Sequence, residues 1–165
     1  MSEEPQIHHD LYPILKSVPD PEIPVLSIID LGVVRRAELH DTKAVVDITP
    51  TYSGCPAMDV IGDDIRKALN DSGYEPTVNL ILAPAWTTDW MTEEGKQALK
   101  RYGIAPPTDA ITDKKALLGE ERVIECPHCG SSNTKLVSQF ASTACKAMFK
   151  CQDCEETFDY FKCLI

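Results

Sequence analysis

Thr49-Pro50-Thr51-Tyr52-Ser53-Gly54-Cys55-Pro56 separates two different hydrophobic periodicities. Before it, Val45 to Ile48 reads as a strand. After it, Met58, Ile61, Ile65, Ala68 and Leu69 share one helical face, with Asp63, Asp64, Arg66 and Lys67 away from it. The turn-rich octet is therefore a strand-loop-helix junction. Pro56 suits the first helical position, which puts Cys55 at the cap, where backbone N–H groups point outward and the helix dipole is positive. A thiol there is biased toward thiolate. Position alone leaves two readings of Cys55 level: an activated thiol, or a small buried apolar residue, since free cysteine is among the most buried residue types.

Upstream, Val33 to Leu39 and Lys43 to Thr49 flank the polar turn His40-Asp41-Thr42 and read as an antiparallel hairpin, with His40 a residue of the turn tip. Asp30-Leu31-Gly32 marks a bend before it. Pro19-Asp20-Pro21-Glu22-Ile23-Pro24 holds three prolines, which end any preceding helix and imply an extended, stiff connection. Ile7, Leu11, Ile14, Leu15 and Val18 recur at helical spacing, so a short amphipathic helix is expected over Ile7 to Val18, with Asp10 as candidate cap and Pro13 in its first turn. His8 and His9 read as exposed end residues rather than ligands.

Downstream, Gly73 stops the helix that follows Cys55, Thr77 to Ala83 reads as a third strand closed by Pro84, and a helix from Thr92 to Tyr102 ends at Gly103. Helix, two strands, helix, strand, helix describes an α+β unit, a small sheet packed with helices, placed at residues 6–104. Residues 105–122, with Pro106-Pro107 and mixed charges, read as a linker in which Thr112 to Leu118 is a candidate helical turn.

Six of the seven cysteines lie in residues 123–165, a unit too small to fold securely without a metal or crosslink. Cys126-Pro127-His128-Cys129-Gly130 has the form of a zinc knuckle, two thiols with a glycine where the backbone must turn sharply. Cys151 and Cys154 follow after 21 intervening residues, long enough for a hairpin of Lys135 to Phe140 with Ala147 to Lys150. Cys126, Cys129, Cys151 and Cys154 are thus expected to form a closed four-thiolate site with a structural role, and the tail to be a zinc-ribbon β-hairpin unit. Rubredoxin-like iron uses similar pairs, so spacing leaves zinc and iron open. Cys145 and Cys163 remain as additional thiols, and Glu155 stands where a second knuckle more often has glycine.

Composition narrows the function classes. A chain of 165 residues with 43% hydrophobic content can pack a core, and no stretch approaches the roughly eighteen apolar residues of a membrane span. The acidic, polar N-terminus has no apolar signal region, so the expected compartment is the cytoplasm, without a membrane partner. The net charge of -10 disfavours nucleic acid, and residues 123–165 carry four lysines against five acids, so the ribbon lacks a basic footprint too. Phe149, Phe158, Tyr160 and Phe161 are therefore read as hairpin packing or a protein-docking surface. Exposed apolar surface would allow a homodimer.

Asp20-Pro21-Glu22-Ile23-Pro24, Asp30-Leu31-Gly32, the octet Thr49 to Pro56 and the stretch Trp86 to Met91 together resemble the small domain shared by SufT and cytosolic iron-sulfur targeting factors. Joined to the Cys126 knuckle, Ser142-Thr143-Ala144-Cys145-Lys146 and Phe158-Asp159-Tyr160-Phe161-Lys162-Cys163, nearly the whole chain resembles the PaaD family of the bacterial aerobic phenylacetate pathway. The resemblance implies an accessory protein, without turnover of its own, that matures iron or iron-sulfur centres of the multicomponent phenylacetyl-CoA epoxidase, an oxygenase. Its partners would be the oxygenase components, including the iron-sulfur reductase. The resemblance makes Cys55 the reactive or metal-contacting thiol, with Thr51 and Asp20 as neighbours. Structural zinc and a transient iron or iron-sulfur cluster are the implied cofactors, with Cys145 or Cys163 available to complete the transient site. A structural subunit of the oxygenase complex is the alternative. A thiol enzyme ranks below both, because His8, His9, His40 and His128 offer no obvious activating pair for Cys55.

Overall fold

The computed structural model describes residues 4–52, 54–108 and 123–162. Contacts divide the chain into two units: Met1–Trp86 with Trp90–Gly95, and Thr87–Asp89 with Lys96–Ile165. The first holds β1 (Gln6–Ile7), α1 (Tyr12–Lys16), β2 (Val34–His40), β3 (Lys43–Ile48), α2 (Ala57–Asp71) and β4 (Glu75–Leu80). Its four strands stand in the order β1-β2-β3-β4. The expected hairpin is present: β2 and β3 are antiparallel, Ala37 opposite Val46, and Asp41 takes the left-handed turn conformation at φ 55°. β4 returns parallel to β3 with Val78 opposite Val46, because α2 carries the chain back across the sheet.

α2 forms where the periodicity placed it. Ile61, Ile65 and Leu69 are buried at i, i+4 spacing, each contributing about 1.5–3 kcal/mol by removal from water. Gly73, at φ 89°, ends it, and the Tyr74 N–H closes back onto the Leu69 carbonyl at 3.0 Å.

Three expectations for this unit change. The N-terminal periodic segment is split: Gln6–Ile7 is a strand parallel to Arg36–Ala37, and the helix is confined to Tyr12–Lys16, with Pro13 in its first turn and Leu11, not Asp10, at the cap. Leu11, Leu15 and Val18 are buried and Ile7 and Ile14 half-buried, so a spacing that suits a helix is met by strand and helix together. The third strand lies earlier than read, at Glu75–Leu80, because the parallel ladder to β3 begins as soon as the chain leaves α2. The proline-rich segment folds back instead of running extended. Pro19 pairs with Ser27, and Asp20 Oδ1 accepts the N–H groups of Glu22 at 2.9 Å and Ile23 at 2.8 Å.

The Asp30-Leu31-Gly32 bend ties the later part of the unit to the sheet. The Trp86 indole N–H donates to the Leu31 carbonyl at 2.9 Å, and the Thr92 N–H donates to the Asp30 carbonyl at 2.9 Å. The buried Asp30 carboxylate accepts from Lys16 Nζ at 2.6 Å and Thr92 Oγ1 at 2.7 Å. Arg35 lies 3.7 Å over the Trp90 ring, a cation–π contact.

The helix α3 (Glu93–Tyr102) runs across the division between units. The second unit contains β5 (Ile104–Ala105), β6 (Thr134–Ser138), β7 (Lys146–Cys151) and β8 (Thr157–Phe161), ordered β5-β8-β7-β6. The expected hairpin is β6–β7, and two further strands extend it. Ile104–Ala105, at the expected end of the first unit, pairs parallel with Asp159–Tyr160. Phe149 stacks on Phe158 at 5.9 Å and meets Tyr160 edge-on at 5.8 Å, so the ribbon aromatics are core. Lys162 is buried, its ammonium donating to the Gln139 carbonyl and lying 4.1 Å over the Phe140 ring. Most of the expected linker, with the candidate turn at Thr112 to Leu118, and Cys163 lie outside the described residues. Among the described residues no helix is long and apolar enough to cross a membrane.

Gly32 provides the test of the bend. A Cβ there would meet the Trp90 carbonyl oxygen at 2.6 Å and the Trp90 Cβ at 2.8 Å, at φ +79°. Gly32→Ala is expected to lose about 1–3 kcal/mol in urea unfolding. Gly54→Ala, at φ +75° with nothing within 4 Å, should lose only the left-handed backbone cost of about 1 kcal/mol. Equal losses in the two variants would mean that the bend is not held against Trp90.

Candidate functional site

Two thiol sites form, by different physics. In the second unit, the Gly130 N–H donates to the Cys126 carbonyl at 2.9 Å while Gly130 takes φ +77°, the sharp turn for which the knuckle glycine is suited. The second knuckle turns without glycine: Glu155 sits at φ 63° and the Cys151 N–H donates to the Glu156 carbonyl at 2.9 Å. The knuckles are clamped together. Asp153 accepts from Ser131 Oγ and from Asn133 Nδ2, the latter at 3.1 Å, and the Gln152 N–H donates to the Asn133 carbonyl at 2.8 Å.

This brings the sulfurs of Cys126, Cys129, Cys151 and Cys154 within 4.8 Å of one another, as the spacing implied. Cys126 Sγ is 3.8 Å from Cys154 Sγ, and Cys129 Sγ is 3.6 Å from Cys151 Sγ. A tetrahedral ion with metal–sulfur bonds near 2.3 Å requires sulfur separations of about 3.8 Å, so the donor set fits such an ion. Proton chemistry points the same way. The Cys154 N–H lowers the Cys151 thiol to about 7 against the opposing effect of burial. Cys154 is pushed up to about 12: the Glu156 N–H opposes this, but burial and the neighbouring Cys151, Cys129 and Cys126 outweigh it. Four thiols this close cannot all ionise without a cation among them. Cys145 stands outside the group, buried, with its sulfur 3.1 Å from Thr143 Oγ1.

Cys55 is the half-buried thiol of the first unit. The helix cap is Pro56, so Cys55 lies one residue outside it. Its carbonyl accepts the Met58 N–H at 3.3 Å, and its own N–H donates to the Tyr52 carbonyl at 3.2 Å. The expected bias toward thiolate is reversed. Burial pushes the Cys55 thiol up; the Ala57 N–H and the Tyr52 side chain pull it down by less, and the carboxylates of Glu22 and Asp20 add to the rise. The charges of Asp20 and Glu22 are thus felt at the thiol, because the Asp20-centred turn bends the proline-rich segment back. By position in the sequence Glu22, like Asp20, reads as a carboxylate that keeps its loop solvated rather than as a site residue, because it lies more than thirty positions from Cys55. Thr51 is half-buried in the same loop, and no hydrogen bond joins its side chain to Cys55 among the described residues.

Among the described residues, two groups place three or more potential metal-ligand side chains within 4.8 Å of one another: the four cysteines, and His8, His9 and Asp10. Cys55 belongs to neither. A metal held there needs further donors from outside its immediate loop.

Comparison with known proteins gives matches in both units. Residues 9–79 match the family described as iron-sulfur cluster assembly protein, and residues 110–162 match the PaaD zinc beta ribbon domain. A protein of Escherichia coli strain K12, named as one of the subunits of 1,2-phenylacetyl-CoA epoxidase, is 48% identical over 97% of this chain and 94% of its own length. An Fe-S protein maturation auxiliary factor of Porphyromonas gingivalis is 36% identical over 54% of this chain and 87% of its own. The crystal structure of a domain of unknown function from Bacillus anthracis aligns with TM-score 0.51 and 34% identity, over 55% of this chain and 88% of that one.

The state of Cys55 is directly measurable. Its alkylation by iodoacetamide, followed by mass spectrometry of the Cys55 peptide, should show a pH midpoint above the ordinary thiol value, and Glu22→Gln should move that midpoint down. A midpoint below the ordinary value would mean that the helix end outweighs burial.

Proposed function

The chain belongs to the PaaD family, and on that premise we propose that it is an accessory factor for maturing iron or iron-sulfur centres of a phenylacetyl-CoA epoxidase, acting in the cytoplasm without turnover of its own. The observation that carries this reading is the separation of two thiol chemistries in one chain: a closed four-sulfur set, and a solitary half-buried thiol at a strand-loop-helix junction, raised by burial and, to a lesser degree, by the charges of Glu22 and Asp20. The four-sulfur set has no open position, so the metal it would hold, zinc, serves to fold the ribbon. Cys55 has the character of a carrier. A thiol held up by burial must surrender its proton when it takes a metal, so at neutral pH its hold is weaker than that of a thiolate already formed. That suits cargo passed on rather than kept. Oxygenase components, among them the iron-sulfur reductase, are the proposed clients.

A stoichiometric structural subunit of the oxygenase is the second reading. It is favoured by the exposed apolar residues Val137 and Phe140 on the ribbon, 56% and 61% accessible. Stable co-purification with the oxygenase at fixed ratio would favour it over the carrier reading.

Anaerobic metal and sulfide analysis of wild type, Cys55→Ala and Cys126→Ser separates the roles. Wild type and Cys55→Ala should each hold about one zinc per chain. Cys126→Ser should lose the zinc and the ordered ribbon. Iron bound after anaerobic loading should depend on Cys55, and Cys55→Ala should lower cluster content and epoxidase activity in cells. Unchanged client activity and cluster content with Cys55→Ala would overturn the carrier reading.

A further inference from the structure

β4 is the last strand of its sheet, and among the described residues no strand pairs with its outer edge. The Glu75 N–H donates to the Thr42 carbonyl at 2.7 Å and the Ile81 N–H to the Ile48 carbonyl at 2.8 Å. Peptide direction alternates along a strand, so the odd-numbered residues between them bond to β3, and Pro76, Val78 and Leu80 present their backbone outward. Pro76 has no N–H to offer, which is the position at which an edge strand tolerates proline. Val78 and Leu80 remain with an outward donor and acceptor each.

The same edge borders a groove of about 290 Å³ whose apolar floor is Ile48, Met58, Val78 and Leu80 and whose α2 side carries Asp59, Asp63 and Arg66. Leu80 in its lining is 55% exposed. Its flank is acidic. α2 and β4 carry Asp59, Asp63, Asp64, Asp71 and Glu75 against Arg66 and Lys67, and both bases are paired within the helix, to Asp63 at 2.9 Å and Asp71 at 2.7 Å.

We propose that this edge is a strand-addition docking site for an extended segment of another polypeptide that alternates apolar and basic residues. Outward N–H and C=O groups would pair with the incoming backbone, the groove would take every second side chain, and the acidic flank would select basic residues. A second copy fits poorly, because it would bring the same acidic helix and a net charge of -10 to the same edge. Met58 and Asp59 line the groove one turn beyond Cys55, so a bound segment would lie along the helix that begins at that thiol. The docking site does not depend on what Cys55 carries.

The probe is a fluorescein-labelled peptide of alternating valine and lysine, titrated by anisotropy into the full zinc-loaded chain, with a valine–glutamate peptide as counterpart. The valine–lysine peptide should bind with an affinity that falls as salt rises, and the glutamate peptide should not bind. Leu80→Pro removes one outward donor while leaving the β3–β4 ladder intact, and should weaken binding about tenfold. Leu80→Lys sets a like charge in the groove and should weaken it at least as much, which keeps the test valid if the proline variant melts early. Asp59→Asn should flatten the salt dependence. Equal binding of both peptides, or wild-type binding by the folded Leu80→Lys variant, would overturn the proposal. So would a concentration-dependent dimer in sedimentation that Leu80→Lys abolishes, which would assign the edge to a second copy.

Discussion

The parallel pairing of β3 with β4 is the constraint from which the first unit follows. Parallel neighbours cannot be joined by a tight turn, so the chain must leave the end of β3, travel back along α2 and re-enter beside β3. That path places the Thr49 to Pro56 loop at the carboxyl end of a central strand and sets Cys55 at the start of the returning helix. Binding groups gather at such strand ends in α/β units because the loops there carry few obligations to the core. The same pairing makes β4 the edge of the sheet. One topological choice therefore produces both the thiol loop and the edge strand.

The two thiol sites show how burial and neighbours decide sulfur chemistry. Cys55 stands at a helix end that should favour its anion, yet burial and two carboxylates from a distant turn prevail. In the ribbon, sulfurs 3.6 to 3.8 Å apart face one another, and their mutual repulsion on ionisation leaves a cation as the means of discharging all four. The first arrangement keeps a proton until something replaces it. The second demands a resident ion.

Much of this was legible in the residues. The α2 periodicity, the hairpin around Asp41 and the paired cysteines each follow from local rules, because helix faces, turns and knuckles are built from residues near in the chain. The two-residue strands β1 and β5 leave no mark in the sequence, since a pair of residues has no periodicity and exists as a strand only through its partner. β4 starts two residues before its apolar run suggests because its start is set by the register with β3, where Glu75 stands opposite Lys43. The proline-rich segment reads as extended, yet its end is set by Asp20 accepting two backbone N–H groups.

The sequence by itself determined the α+β character of the first unit, the pairing of Cys126 and Cys129 with Cys151 and Cys154 into one cluster in the second, and Cys55 as the thiol at a helix start. These depend on spacing along one element. The tertiary structure alone decided that burial, with the charges of Glu22 and Asp20 added, raises that thiol, and that β4 runs parallel to β3 at the end of the sheet. Both rest on contacts between segments far apart in the chain, where a carboxylate's distance and a strand's register are set by packing.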